Sequence, residues 1–252
     1  MSIEVQKIPG EFTFPSVWPK LAFSNLNKMV MDWWADDLDL GALTTPWLDR
    51  VNDVELVPMS GNTWSSPTVV TGGAGGHQAV KFDGVSRLSA LRTMKQSMAI
   101  SIVYKLATNA INNERLLSGK QGFRSLLTAG MTTTQPYLAA QVATAPSAAV
   151  NTRNANGVVP GTWQSIVLSH SMGGMVAVQN LNGAMSSQAA STAEIIQDEI
   201  IIGYNTAPIA DPAVNNAGLH GEISRITVWD MGLTNVEIDA MNKKNKKLFA
   251  LQ

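Results

Sequence analysis

The 252-residue chain has no cysteine, so neither disulfides nor thiolate chemistry can contribute. Charge is scarce as well: charged residues make up 15% and the formal net charge is −1. That balance argues against broad nucleic-acid binding, which needs cations to neutralise phosphates. Lys243, Lys244, Lys246 and Lys247 form the one basic spot, which reads as a solvated helix end. No apolar run approaches the ~20 residues that a membrane-spanning helix needs. The start, Met1 to Lys7, lacks the continuous apolar core of a signal peptide. A chain made and folded in a cytoplasm, with no membrane insertion, is therefore expected. His77, His170 and His220 are far apart, with no H-x-x-x-H spacing to favour zinc. Asp37-Leu38-Asp39-Leu40-Gly41 resembles the front of a calcium loop, but Leu48 stands where an EF-hand needs its bidentate glutamate. Gly72 to Gly76 lacks the Lys-Ser/Thr of a phosphate loop. Neither metal nor cofactor is expected.

Hydrophobic residues, by contrast, make up 45%, enough for one sizeable core. Short apolar runs alternate with turn clusters from Met29 onward. In Met98 to Tyr104 the large residues Met98, Ile100, Ile102 and Tyr104 share one face at period two. Glu199 to Tyr204 holds three consecutive isoleucines, as expected of a strand covered on both sides. Asp83-Gly84 is a turn dipeptide and Asn182-Gly183 a hairpin signal. Residues 60–76 and 143–162 read as loops. Gly221 to Asp230 is a β-branched, aromatic-ended strand, and a helix over 234–250 follows. Thr234 and Glu237 have capping-box spacing, and Leu233 and Ile238 sit where a hydrophobic staple would close over the cap. Many short strands with one late helix predict an all-β, two-sheet antiparallel sandwich over 29–252.

Residues 1–28 look like an extended arm. Pro9, Pro15 and Pro19 disfavour regular structure, while Phe12, Phe14 and Trp18 offer apolar side chains. Such an arm either packs on its own domain or anchors it to a neighbour. Trp64, Tyr137 and Tyr204 fall in a loop or near strand ends, where an aromatic ring stacks on a sugar or packs at a rim. Ser169-His170-Ser171-Met172-Gly173-Gly174 imitates a nucleophile elbow, with Asp198 or Asp211 and His220 following in hydrolase order. Ser169 replaces the first glycine of that elbow, however, and Val176 to Gly183 prefers strand and turn to the helix it requires. No acidic E-x-D-x-E pattern is present to serve a glycosidase. The expectation is a non-enzymatic protein.

Several of these pieces recur together in a known family. Val80-Lys81-Phe82-Asp83-Gly84 with Leu88, the strand Met98 to Tyr104, and Leu116-Leu117-Ser118-Gly119 come first. Gly161-Thr162-Trp163 with Ile166-Val167-Leu168, Val176 to Gly183, Ile202-Gly203, and the ending Gly221 to Asn242 come next. In order and spacing they resemble the concanavalin A-like lectin/glucanase superfamily, specifically its laminin-G-like members. The resemblance implies a jelly-roll sandwich whose concave face and rim loops are available for ligands. The family's catalytic residues do not carry over, because the acidic pattern is absent. Cysteine-free, Ala/Thr/Gly-rich chains with a sandwich after an aromatic arm also resemble bacteriophage virion proteins. The leading expectation is thus a virion surface protein, as capsid decoration, head fibre or tail-associated adhesin. It would be oligomeric or assembly-bound, with other virion proteins and cell-surface glycan as partners. A cellular carbohydrate-binding module is the alternative, and a Ser171 serine hydrolase the third reading.

Overall fold

The computed structural model describes residues 25–59, 65–93, 97–108, 115–119, 127–131, 136–145, 148–154, 158–171, 173–189, 199–203 and 218–252. Along the chain the strands are β1 (Met31–Trp34), β2 (Gly41–Ala42), β3 (Trp47–Leu48), β4 (Glu55–Pro58), β5 (Thr68–Val70), β6 (Ala79–Asp83), β7 (Leu88–Thr93) and β8 (Met98–Leu106). They continue as β9 (Arg115–Gly119), β10 (Leu127–Met131), β11 (Pro136–Ala145), β12 (Ala148–Asn154), β13 (Gln164–His170), β14 (Met175–Asn180), β15 (Ser186–Ala189), β16 (Glu199–Ile202) and β17 (His220–Trp229). Helix α1 spans Asn235–Leu248. One sheet has nine strands, ordered β15-β14-β13-β8-β17-β6-β5-β2, with β1 also paired to β17; the other has eight, ordered β12-β11-β10-β9-β16-β7-β4-β3. Every pairing described is antiparallel.

Period-two patterning builds the core between the sheets. Met98, Ile100, Ile102 and Tyr104 of β8 enter one cluster with Ile166 and Leu168 of β13, and with Trp33, Trp47, Phe82 and Ile202. The run Ile200-Ile201-Ile202 is wholly buried, because β16 lies between β9 and β7 in the middle of its sheet. The outward-facing residues of β8 and β13 are buried too, which alternation alone would not lead one to expect. Helix α1 covers them: Ala99, Val167 and Ala177 join Trp229, Leu233, Ile238 and Met241 in a second cluster. Small side chains on the sheet let the helix come close, and Asn245 of the helix donates to Ser101 Oγ at 2.9 Å and Ser165 Oγ at 2.8 Å. Buried polar groups are thereby paired rather than stranded.

The helix begins as its sequence predicts. Thr234 Oγ1 accepts from the Glu237 N–H at 3.3 Å, and Glu237 Oε2 accepts from the Thr234 N–H at 2.8 Å. Leu233 and Ile238 are both buried in one cluster, the staple expected over that cap. Ser169 also has a role of its own: its Oγ accepts from the Leu233 N–H at 2.7 Å, fixing the helix entry to β13. At the other end Phe249 is the C-cap, Ala250 takes a left-handed φ of 47°, and the Leu251 N–H reaches the Lys246 carbonyl at 3.0 Å. This is a Schellman ending with alanine where glycine is usual. It turns Phe249 and Leu251 inward, against Ala74, Val103 and Leu181.

Two loop expectations need correction. Within 143–162, β11 continues to Ala145 and β12 occupies Ala148–Asn154. Within 60–76, β5 occupies Thr68–Val70. β12 ends its sheet and pairs only with β11, so backbone hydrogen bonding rather than a side-chain pattern makes it a strand. The Asn182-Gly183 hairpin forms as expected between β14 and β15, with Asn182 at φ 62°. Before β1, Leu26 is buried in the helix-side cluster and its carbonyl accepts from the Trp229 indole at 3.2 Å.

Candidate functional site

The predicted stacking residues Trp64 and Tyr204, and Phe12, Phe14 and Trp18 of the arm, lie outside the described residues. So do Asp198 and Asp211. Of Tyr137 the structure describes only the backbone, opposite Gly130 in the β10–β11 pair. The Ser171 elbow is described on both sides of Met172, and it is a hairpin turn. The Ser171 N–H donates to the Met175 carbonyl and its carbonyl accepts from Gly174, both at 2.9 Å, between antiparallel β13 and β14. His170, next to Ser171, is registered with Met98 at one end of β8, whereas Gly221, next to His220, is registered with Leu106 at the other. Eight residues of extended strand, about 26 Å, separate those ends. Ser171 and His220 therefore cannot meet, and the hydrolase reading loses its base.

What the fold does bring together is a layered aromatic and ionic cluster around Trp34. Its ring stacks on Phe249 at 5.4 Å and meets His77 edge-on at 5.9 Å. The guanidinium carbons of Arg225 and Arg50 lie 4.4 and 4.5 Å from its centroid, within cation–π range. The Trp34 indole donates to Asp32 Oδ2 at 2.8 Å, and Asp32 also takes Arg225 Nε at 2.7 Å and Nη2 at 2.8 Å. Arg50 forks onto Asp37, with both contacts at 2.7 Å. Asp36 accepts from the Gln78 N–H at 2.7 Å and lies 2.6 Å from His77 Nδ1. Partial burial pushes the Asp36 carboxyl up, but the Gln78 N–H, the His77 contact and the Arg50 charge together hold it below the ordinary carboxylate range. Asp37, the first carboxylate of the stretch that imitates a calcium loop, is thus engaged by Arg50. Among the described residues no group of three or more His, Asp or Glu is placed to hold a metal.

Two clefts border this cluster. The larger, about 370 Å³, is lined by Asp37, Leu38, Asp39, Thr45, Pro46, Leu48, Asp49 and Arg50. Most of its charge is already committed. Asp37 binds Arg50, and the Asp49 carboxylate accepts from the N–H groups of Val51, Asn52 and Val54 at 2.8, 3.1 and 2.6 Å. Asp49 is therefore the anchor of its own turn.

The second cleft, about 280 Å³, is lined by Gly75, Gly161, Thr162, Trp163, Phe249, Ala250, Leu251 and Gln252. It falls just below the range for small-ligand pockets, ~300–1,000 Å³. Its construction follows from the helix ending. The Schellman turn lays residues 249–252 against the glycine loop, and the Asn182 side chain holds the Gln252 carbonyl at 2.7 Å. Gly75 must be glycine, since its φ is +62° and a Cβ would come within 2.8 Å of the Phe249 backbone. Trp163 is half-buried, packed on the cluster of Phe249 and Leu251. Lys105 Nζ stands 5.0 Å from its centroid and 2.9 Å from Glu222 Oε2. Thr162, whose hydroxyl makes no hydrogen bond among the described residues, also lines the cleft. An aromatic ring beside a threonine and a glutamine is an arrangement that can take a small polyhydroxylated molecule. Trp163 stands in the sequence resemblance, but nothing local marked it as a site residue. Tyr104, by contrast, is withheld, for its hydroxyl donates to Asn180 Oδ1 at 2.9 Å within the core and burial pushes its pKa up.

No protein-family model matches the sequence, and no curated protein sequence does either. Solved structures do match. Domain 4 of AbnA, a GH43 extracellular arabinanase from Geobacillus stearothermophilus solved in complex with arabinotriose, is similar with a TM-score of 0.59 and 15% identity, over 85% of this chain and 98% of that one. The heptameric SAP-like pentraxin from Limulus polyphemus has a TM-score of 0.51 and 15% identity, over 65% of this chain and 81% of its own. The receptor-binding domain of botulinum neurotoxin mosaic serotype C/D has a TM-score of 0.56 and 11% identity, over 88% of this chain but 52% of that one. At these identities the likeness is one of fold: among its described residues this chain is a two-sheet antiparallel β-sandwich with one C-terminal α-helix.

Proposed function

We propose that this protein is a non-enzymatic, glycan-binding sandwich of the concanavalin A-like type, and that the Trp163 cleft is where sugar binds. The observation that carries the reading is the cleft itself: an aromatic wall, neutral hydrogen-bonding groups and a size suited to a small ligand. Fold similarity to a domain solved with arabinotriose supports it by analogy. A glycan array with the intact protein, followed by titration of the best ligand, tests it. Trp163→Ala is expected to weaken binding about tenfold or more, the loss of one stacking platform (about 1.4 kcal/mol). Thr162→Val, which barely disturbs packing, is expected to weaken it less. Binding that survives both substitutions would move the site elsewhere, and an array with no signal would remove the reading.

Placement on a virion surface belongs to the same proposal and rests on composition and the aromatic arm. Phe12, Phe14 and Trp18 would anchor the sandwich by burying apolar area on a capsid or tail partner. A chain lacking residues 1–24, which keeps Leu26 in its cluster, should then bind sugar unchanged yet fail to join particles. Normal incorporation of that truncated chain would refute the anchoring role.

A further inference from the structure

The Trp163 cleft carries a signature of what it accepts. None of the side chains that line it is charged. Among the described residues the cation beside its aromatic wall is Lys105, paired with Glu222 at 2.9 Å directly across the β8–β17 register. Glu222 is also registered opposite Lys81 on its other side, in the β6–β17 pair. One carboxylate thus stands between two lysines on adjacent strands. With side-chain exposures of 25% for Lys105 and 18% for Glu222, this ion pair is shielded enough to hold its geometry, unlike a fully solvated pair.

We propose that the cleft selects a neutral sugar over an acidic one, and that Glu222 sets this selectivity by cancelling Lys105 at the edge of the Trp163 ring. The inference rests on the glycan-binding reading and deepens it. A carboxylated sugar seated on Trp163 would have to give up water with no free cation to receive its charge, and Glu222 would repel it. A neutral sugar needs only ring stacking and uncharged partners, which Thr162 and Gln252 supply. Removing the Glu222 charge would leave Lys105 without its partner at the edge of the Trp163 ring and turn the same cleft toward anions. Glu222 is therefore a specificity-determining residue that acts through Lys105 rather than by touching the ligand.

The test titrates the full chain with matched neutral oligosaccharides and their uronic-acid or sialylated counterparts. The wild-type protein should prefer the neutral member by about tenfold or more. Glu222→Gln, nearly isosteric, should bind the neutral sugar as before but shrink that ratio at least about threefold, with the gain in acidic binding screened by added salt. Lys105→Gln should keep the neutral preference, which separates the charge effect from any loss of packing on Trp163. A wild-type preference for acidic sugars, or a ratio untouched by Glu222→Gln, would overturn the proposal while leaving glycan binding intact. Failure of both sugar classes to bind, in wild type and variant alike, would instead overturn the glycan reading, and this inference with it.

Discussion

Asp32→Ala should unfold the protein at markedly lower temperature. Asp32 is 6% exposed, and its carboxylate accepts from Arg225 Nε and Nη2, Thr227 Oγ1 at 2.9 Å and the Trp34 indole. Deleting it leaves the buried Arg225 guanidinium, among the described residues, with a 3.5 Å contact to Asn245 Oδ1 and the face of Trp34, neither of which carries a balancing charge. Breaking a buried pair from one side costs about 3–5 kcal/mol, because the remaining charge is desolvated and unmatched. At about 2–4 °C per kcal/mol for a chain of this size, the midpoint should fall by about 6–20 °C. The pair itself need not be stabilising. Replacing both members, Asp32→Leu with Arg225→Met, should recover part of the loss, since no lone charge stays buried. Urea denaturation of the two single variants and the double variant supplies the cycle. A loss below about 1 kcal/mol for Asp32→Ala would mean that water reaches Arg225 and that the cluster is looser than its geometry.

The next residue faces the other way and should matter as much for a different reason. Trp33 is 1% exposed in the core between the sheets, and its indole donates to the Val54 carbonyl at 2.9 Å. Trp33→Ala removes a large apolar side chain and leaves a cavity, at about 3–5 kcal/mol. Trp33→Phe keeps most of the volume and removes only the indole donor, since the Val54 carbonyl still accepts from the Asp49 N–H at 3.1 Å, so about 0.5–1.5 kcal/mol is expected. Denaturation midpoints should rank wild type, then Trp33→Phe, then Trp33→Ala. Equal losses for the two variants would assign the whole effect to the hydrogen bond and none to packing.

Asp32, Trp33 and Trp34 also show how much can be read from local sequence and where reading stops. Alternation along β1 sends Trp33 to the inter-sheet core and its two neighbours to the outer face. That much follows from strand geometry. The partner that makes a buried Asp32 tolerable, Arg225, lies 193 residues away, and no local signal joins them. The alternation of β8, the isoleucine run of β16, the Asn182-Gly183 hairpin and the Thr234–Glu237 cap were legible because each is set by interactions within a few residues. β12 was not, since a strand of Ala, Asn, Thr and Arg with a single Val is defined by its backbone pairing to β11 rather than by its own pattern. The nucleophile-like stretch at Ser171 misled for the same reason: six residues can imitate an elbow, but only the positions of β8, β13 and β17 place His220 at the far end of the sheet.

By itself, then, the sequence determined an all-β sandwich closed by one capped helix, without cysteine chemistry, because periodicity, turn dipeptides and capping act over short range. The tertiary structure decided everything about the site. Gly75, Trp163 and Phe249 meet only because a left-handed Ala250 turns the chain end back onto a glycine loop. Glu222 faces Lys105 only because β17 lies beside β8. Contacts between residues far apart in sequence depend on sheet order and register, which are settled by the packing of the whole chain.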